Sequence, residues 1–448
     1  MSSITAHNFK RIALFGAGLS GLAAYRRARD LGISCVIDDD HQKAHDEIAP
    51  SDFIAWQKWD FSELDALILS PGIAHHHPAP HDVAIAAIAQ GVEIISEVEF
   101  GLRTGHWGKL VIITGTNGKS TTTALTGHIL AYGGKNVGIG GNLGTPLCAL
   151  DDRPDGITVL ELSSYQLETT PSLAPHITAL LNITPDHLDR HGGLDGYIAA
   201  KKKSLSACGP KSLALIGDEG DMMADIIKWA KAELPCDIKA IKANNLDQLA
   251  LDNPYLAGAH NAQNAAFAIA IARACGVSDA DCGTALASFV GLAHRLQPVG
   301  KINGISFVND SKATNGDASA KALGAYQTII WLAGGRAKAD GLAACHSYFK
   351  NIHSAHFYGE CADIFYDDFH QEAQGHIPCT SHNTMDEAFS QATKNIPEEA
   401  VILLSPAAAS FDQFANFGAR GSHFEELATS FIAKIAPCDA NAQGGSSC

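Results

Sequence analysis

The chain has 448 residues, 46% of them apolar and 18% charged, with 32 Lys and Arg against 48 Asp and Glu for a net charge of −16. That length predicts several domains, and the composition is that of a globular protein with apolar cores. The acidic balance repels nucleic acid and anionic membranes at distance, so neither is an expected partner, and a phosphate ligand has to be captured by local loops. The eleven cysteines contain no CxxC pair, which predicts free thiols in a reducing cytoplasm. No apolar run reaches membrane-spanning length.

The first segment, 1–98, alternates strands and helices. Strands are predicted at Ile12–Phe15, Ser34–Ile37, Ala66–Leu69 and Ile94–Ile95, with a helix over Leu19–Leu31 stopped by Gly32. This is the pattern of a parallel, Rossmann-like sheet. Gly16-Ala17-Gly18-Leu19-Ser20-Gly21 follows the first strand and Asp38 ends the second. The arrangement suits a diphosphate on a helix N-terminus with an acid facing a ribose or base. NAD fits it, a uridine diphosphate fits it as well, and a tight turn without ligand is a third reading. His75-His76-His77 with His81 resembles a metal cluster but has no companion carboxylate in sequence, so a surface loop is expected.

The second segment, 99–295, opens on the apolar run Leu110–Ile113, then Gly115-Thr116-Asn117-Gly118-Lys119-Ser120-Thr121, then a helix over Thr122–Tyr132. Strand, glycine turn and helix make a phosphate loop: backbone N–H groups face the phosphates, Lys119 reaches the outer ones, and the Ser120 hydroxyl can meet Mg²⁺. The loop is shorter than the common GxxxxGK[ST] form, because position 113 is Ile. Strands at Ile157–Glu161 and Thr178–Asn182 are continuous apolar runs, as in buried parallel sheets, whose ligands gather at the carboxyl ends. Glu161 at such an end can hold Mg²⁺, and a solvated or helix-capping Glu is the plainer alternative. Asp186-His187-Leu188-Asp189-Arg190-His191 follows the next strand, where two His and two Asp admit zinc as well as Mg²⁺. Lys201-Lys202-Lys203, taken alone, is a solvated charge run. Ala262–Ala274 is an Ala-rich helix.

The third segment, 296–448, starts at Gln297-Pro298-Val299-Gly300. It carries strands at Ile305–Val308, Thr328–Leu332, His356–Tyr358 and Val401–Leu404, and residues 437–448 are expected to be a disordered tail. Asn309-Asp310-Ser311-Lys312-Ala313-Thr314-Asn315, Gly334-Gly335-Arg336-Ala337-Lys338 and Ser405 to Phe414 each follow a strand. Lysines and hydroxyls there suit a small dianion such as glutamate. The expected fold is therefore α/β with three domains: a Rossmann-like N-terminal domain, a central phosphate-loop ATPase domain with a parallel sheet, and a Rossmann-like C-terminal domain.

As a set, these motifs resemble the Mur ligase family, ATP-dependent amide-forming enzymes of peptidoglycan synthesis. The resemblance runs from Gly16 to about Phe424. It includes GTNGKST, Gly140-Gly141-Asn142-Leu143-Gly144, Glu161-Leu162-Ser163-Ser164, Asp186-His187-Leu188-Asp189-Arg190, Gly258-Ala259-His260-Asn261-Ala262-Gln263-Asn264, Gly291-Leu292-Ala293-His294-Arg295 and NDSKATN. The GGNLG turn, NDSKATN and the SPAAASFDQFxNFxxRG stretch ending at Gly421 point to the branch that adds D-glutamate to UDP-N-acetylmuramoyl-L-alanine. Another amino-acid ligase of the Mur or folylpolyglutamate type is the neighbouring alternative. A dinucleotide oxidoreductase would leave the phosphate loop unexplained.

The resemblance implies that Leu19, Ser20, Asp38, Ser70, Gly72 and Asn142 serve the UDP substrate. Asp39 and Asp40 stand where relatives can carry a Thr-Arg pair. It implies ATP at Gly115 to Thr121, with Asn261 and Asn264 near the adenine and Arg295 and Asp310 also on ATP. One Mg²⁺ falls to Ser120 and Glu161. A second falls to His187 and a carbamylated Lys201, which matches the family's Tyr-x-x-Ala-Lys pattern at Tyr197 to Lys201; Mn²⁺ could replace either ion. Thr314, Lys338, Ser410 and Phe417 would hold D-glutamate, with Lys312 close to the reacting groups. Lys119, His187, Lys201, Glu161 and Lys312 form the expected catalytic set of a cytoplasmic monomer.

Overall fold

The computed structural model describes residues 9–40, 47–243, 253–256, 258–337 and 341–435. The chain forms two compact units, 1–250 with 263–286, and 251–262 with 287–448.

The first unit holds two parallel sheets. Strands β1 (Arg11–Phe15), β2 (Ser34–Asp38), β3 (Ala66–Leu69) and β4 (Glu93–Ile95) make a four-stranded sheet in the order β2-β1-β3-β4. Alternate side chains go to opposite faces. Ile12, Leu14 and Ile68 pack with Leu22, Tyr25 and Ala28 of α1 (Leu19–Asp30), while Ala13, Phe15 and Leu67 pack with Val83, Ala84 and Ala87 of α2 (Asp82–Ala89). Both faces being covered explains the unbroken apolar runs in sequence. Helix α3 (Glu97–Thr104), N-capped by the Ser96 hydroxyl, carries the chain to the second sheet.

That sheet has β5 (Lys109–Thr114), β6 (Val137–Gly141), β7 (Ile157–Glu161), β8 (Ile177–Leu180), β9 (Leu213–Gly217) and β10 (Asp237–Ile241), in the order β10-β9-β8-β5-β7-β6. Every pairing in it is parallel. Strand β5 is central, so the loop that follows it opens between the carboxyl ends of β7 and β8. Helices α4 (Lys119–Tyr132), α5 (Ser164–Glu168), α6 (Leu188–His191) and α7 (Leu194–Ser206) follow β5, β7 and β8.

The second unit contains a six-stranded sheet of β11 (Gln297–Ile302), β12 (Ile305–Asn309), β13 (Ile329–Gly334), β15 (Ile352–Tyr358), β16 (Cys379–His382) and β17 (Ala400–Leu404). The order is β11-β12-β17-β13-β15-β16, with only the edge strand β11 antiparallel. A two-stranded ribbon pairs β14 (Arg336–Ala337) with β18 (Ala408–Ala409). One face packs Trp331, Phe357, Phe365 and Phe369; the other packs Phe307, Phe389 and Phe424, the last on the helix Phe417–Ile435.

Several elements depart from the sequence reading. Helix α4 begins at Lys119 rather than Thr122, because Gly118 in the left-handed region already caps it. Strand β8 stops at Leu180, two residues short of Asn182, which turns back onto the phosphate loop. Strand β15 starts four residues before His356. Strands β6, β9, β10, β11 and β16 went unrecognised. The expected tail at 437–448 lies outside the described residues.

Candidate active site

The phosphate loop is fixed from three sides. The N–H of Thr116 donates to the Asn182 carbonyl and that of Asn117 to Asn182 Oδ1, at 3.0 and 2.9 Å. Thr116 Oγ1 lies 3.0 Å from the Tyr197 hydroxyl on α7. Gly118 has φ +82°, and a Cβ there would strike the Asn264 carboxamide, so glycine is required on both counts. Asn264 in turn accepts from the Thr122 hydroxyl at 3.2 Å. Lys119 folds back to donate to the Thr116 carbonyl at 2.7 Å, which places its charge over the loop. Ser120 is buried in the first turn of α4 and Thr121 follows it.

Two ionisable residues are buried beside this loop. Glu161 is 1% exposed, in register with Ile113 of β5. Its Oε1 accepts from Asn142 Nδ2 at 2.8 Å, while Oε2 is buried with no hydrogen-bond partner. A carboxylate oxygen in that state is costly unless a cation meets it. Lys201, also 1% exposed, donates to the Gly115 carbonyl at 2.7 Å and lies over the Tyr197 ring. Burial first, and the Lys119 charge second, hold its amine well below the usual lysine range against the pull of Asp186 and Glu161. So Lys201 is not part of a solvated charge run; Lys202 and Lys203 flank it nearer the surface. His187 stands at the left-handed entry to α6, half-exposed, 3.4 Å from Asp186. An orphaned, buried carboxylate oxygen beside a phosphate loop fits a hard divalent cation.

At the first sheet the glycine turn is built differently. Gly16 has φ +101°, and a Cβ there would meet Ser70, whose hydroxyl donates to the Gly16 carbonyl at 3.1 Å. Asp38 is buried, with one carboxylate oxygen taking the Trp56 N–H and the other the Asp39 N–H, at 2.8 and 2.9 Å. Asp39 takes the Ala17 N–H of the turn itself at 2.8 Å. Leu19 is 76% exposed, Gly72 is exposed and Ser20 is half-buried. Asn142, grouped in sequence with this substrate set, donates to Glu161. The histidine segment is exposed at 76–80, as a surface loop should be, and departs from the sequence reading at His75 and His81. His75 is buried 3.7 Å from Glu168, and His81 lies 3.1 Å from Asp40, so carboxylates do accompany them.

In the second unit, Asp310 is buried, its oxygens accepting from the Ser405 hydroxyl at 2.9 Å and the Leu296 N–H at 3.2 Å. Burial raises its carboxyl to about 7, although those bonds and the charges of Arg295 and Arg420 work the other way. Lys312 lies over the Phe417 ring at 3.9 Å, Thr314 is half-buried beside it in the chain, and Ser410 is buried. Asn261 is buried in the first turn of the helix Ala259–Ala274. Lys338 lies outside the described residues.

Comparison with known proteins bears on this geometry. Residues 113–253 match the Mur ligase middle domain and residues 294–408 the Mur ligase glutamate ligase domain. The UDP-N-acetylmuramoylalanine–D-glutamate ligase of Caulobacter vibrioides is 41% identical over 449 residues, covering 93% of this chain and 94% of that protein. The enzyme of the same name from Phenylobacterium zucineum is 39% identical, covering 95% and 97%. The chain belongs to the Mur ligase family. Mur ligases use ATP and, typically, Mg²⁺. Among solved structures, UDP-N-acetylmuramate–alanine ligase MurC of Thermotoga maritima aligns with a TM-score of 0.60 at 16% identity, over 94% of this chain and 99% of that one. MurF of Acinetobacter baumannii aligns at 0.54 and 19%, over 79% and 88%. At those identities the likeness is one of fold.

One residue of the Mur ligase motifs, the Arg before Gly421, organises the loops of this unit. Arg420 is fully buried, and its guanidinium donates to Ser311 Oγ and the Ser311 carbonyl at 3.0 and 2.8 Å, and to the carbonyls of Ala408 and Gly334 at 3.0 and 3.3 Å. It thus joins the three loops that follow β12, β13 and β17. A fixed fork of donors suits that task, and Lys could not make it. The sequence motif that ends at Gly421 contains it, but its role shows only in the fold, since its partners are backbone groups and a serine, more than eighty residues away on two of the three loops.

Proposed function

We infer that this protein is an ATP-dependent ligase that joins D-glutamate to UDP-N-acetylmuramoyl-L-alanine. The reaction passes through an acyl phosphate and gives UDP-N-acetylmuramoyl-L-alanyl-D-glutamate, ADP and phosphate, a step of peptidoglycan synthesis. The observation that carries this reading is the pair of buried residues, Glu161 and Lys201, at the phosphate loop. A site that only holds a nucleotide has no need of an unpaired buried carboxylate beside a fully buried lysine.

In this reading the three sheets correspond to three domains, 1–98, 99–295 and 296–448. ATP lies along Gly115 to Thr121 with Asn261 and Asn264 at the adenine and Arg295 and Asp310 also on the nucleotide. Ser120 and Glu161 hold one Mg²⁺; His187 and Lys201, as its carbamate, hold a second, and Mn²⁺ can stand in. CO₂ adds to a neutral amine, and burial shifts Lys201 toward that form. Bound there, the ions supply positive charge against the phosphate oxygens. Lys119 adds its own charge to the outer phosphates, and Asn182 keeps the loop open to receive them. Leu19, Ser20, Asp38, Ser70 and Gly72 receive the UDP end, with Asn142 beside Glu161. Thr314, Lys338, Ser410 and Phe417 receive D-glutamate, whose two carboxylates suit Lys338 and Lys312. The protein acts as a cytoplasmic monomer on small molecules; no helix of the described residues is long and apolar enough to cross a membrane.

The test is phosphate release with ATP, Mg²⁺ and UDP-N-acetylmuramoyl-L-alanine, adding D-glutamate, L-glutamate or no amino acid. Release with D-glutamate alone is expected. Release with a different amino acid keeps the chemistry and changes the substrate. No release from folded, ATP-binding protein would sink the reading.

A further inference from the structure

His191 is the most fully engaged side chain near the phosphate loop that has no part in the reading above. Its side chain has no solvent exposure. Nδ1 lies 2.9 Å from Glu168 Oε1, and Nε2 lies 2.9 Å from Ser164 Oγ. A carboxylate only accepts, so Nδ1 carries a proton toward Glu168, and Nε2 shares a hydrogen bond with the Ser164 hydroxyl. Serine, histidine and glutamate have here the connectivity of a nucleophilic triad. They cannot work as one: Ser164 is buried under the same shell, and the imidazole is enclosed between two rings.

Those rings show what the histidine does. Tyr165 stacks on one face of it, at 5.4 Å and 25°, and Tyr197 meets it from another side at 5.4 Å. Tyr197 reaches the phosphate loop through its hydroxyl contact with Thr116. Tyr165 packs against the His187 ring at 5.3 Å. The imidazole is therefore the middle of a row running from Thr116 through Tyr197, His191 and Tyr165 to His187. Its edge is locked on both sides to α5, the helix that follows Glu161. His187 itself is half-exposed and sits in left-handed backbone, so it depends on its neighbours for a fixed ring plane.

We propose that His191 is a positioning residue: fixed at both nitrogens by Glu168 and Ser164, it holds the phosphate loop and the His187 ring in one mutual arrangement. The proposal rests on the ligase reading, in which His187 is a metal ligand. It places the orientation of that ligand under a histidine four residues away, through an aromatic ring rather than through a hydrogen bond to the ligand.

Two variants separate the bonds from the stack. His191→Phe keeps a ring between the two tyrosines and loses both hydrogen bonds; Glu168→Gln weakens only one. The readouts are kcat and the KM for ATP, the melting temperature, and Mn²⁺ binding followed by electron paramagnetic resonance with a non-hydrolysable ATP analogue. For H191F a kcat and a Mn²⁺ affinity each lowered about tenfold are expected, as for outer-shell changes at metal sites, with the KM for ATP within about twofold and the fold intact. For E168Q the same pattern is expected at about threefold. Mn²⁺ affinity unchanged in both variants would overturn the proposal, whatever happens to kcat. If H191F does not fold, E168Q decides alone by the same criterion. The Mn²⁺ titration contains neither acceptor nor amino acid, so a wrong choice of substrate shows instead as wild-type protein that fails to release phosphate.

Discussion

The first and second sheets each end a central strand in a glycine turn that starts a helix, yet the two turns bond to different neighbours. After β1, the Ala17 N–H is taken by the Asp39 carboxylate, and Asp38 and Asp40 stand beside it. After β5, the Thr116 and Asn117 N–H groups go to the neutral Asn182, and Lys119 and Lys201 both donate to loop carbonyls. Glycine spacing sets only the shape of such a turn. What it can hold is decided by the ends of the neighbouring strands: β2 brings acids to the first turn, and β8 with α7 brings amides and amines to the second. In the ligase reading the second turn takes the phosphates of ATP and the first the UDP end of the other substrate.

The largest effects should come from removing the charges at the second turn. Glu161→Gln preserves shape and the bond with Asn142 but leaves no charge for a cation, and Lys201→Ala removes the buried amine. Each should lower kcat by at least about 100-fold in phosphate release while the melting curve still shows a folded protein. Near-normal turnover in either variant would mean that the unpaired oxygen and the displaced lysine titration are structural accidents.

A smaller effect is expected at the first turn. Asp39→Asn can still accept from the Ala17 N–H, so the turn keeps its form while one negative charge leaves. If Asp39 only repels a diphosphate nearby, the KM for the UDP substrate should fall about threefold, with the KM for ATP unchanged, as expected for one charge in a wet site. A KM that rises tenfold would instead make Asp39 a direct contact of the substrate, and the contrast between the two turns would lose its electrostatic basis.

The second turn was legible in sequence because strand, loop and helix are consecutive there, and every signal is local. Glu161 was legible as a strand-end acid, and β7 does pair with β5. Lys201 was legible only through a family pattern: the run of three lysines reads as surface, and burial of its first member depends on α7 packing against the loop. Arg420 was legible as part of the motif ending at Gly421, but the hydrogen bonds it makes, those of Asn182 and the row through His191 were not. Their partners lie tens of residues away, or are backbone atoms that carry no residue identity. The same holds for β9, β10 and β11, whose short runs resemble loop or helix until neighbouring strands flank them. Asp39 was visible as a departure from the family, but not as a ligand of its own glycine turn.

Between the two sheets stands a third acid, which tests the premise that surroundings rather than residue type set the charge. Glu97, in the first turn of α3, is buried, with Oε1 accepting from the Cys148 N–H at 2.5 Å and Oε2 without a partner. Burial pushes its carboxyl from 4.5 up to about 7, with the Cys148 bonds and the Arg27 charge opposing. A carboxyl raised in the folded state binds its proton more tightly there than in the unfolded chain. Its contribution to stability is therefore complete below about pH 4.5 and is lost as pH rises through about 7. Glu97→Gln can keep the Cys148 bond through its carbonyl and has no charge to bury. Denaturant unfolding at pH 5 and pH 8 should show the variant gaining on the parent as pH rises, by on the order of 3 kcal/mol at most. The gain is the smallest expected change in function, since α3 carries none of the proposed site residues. A difference that does not depend on pH would show that Glu97 is ionised throughout, and that its surroundings supply a counter-charge beyond Arg27.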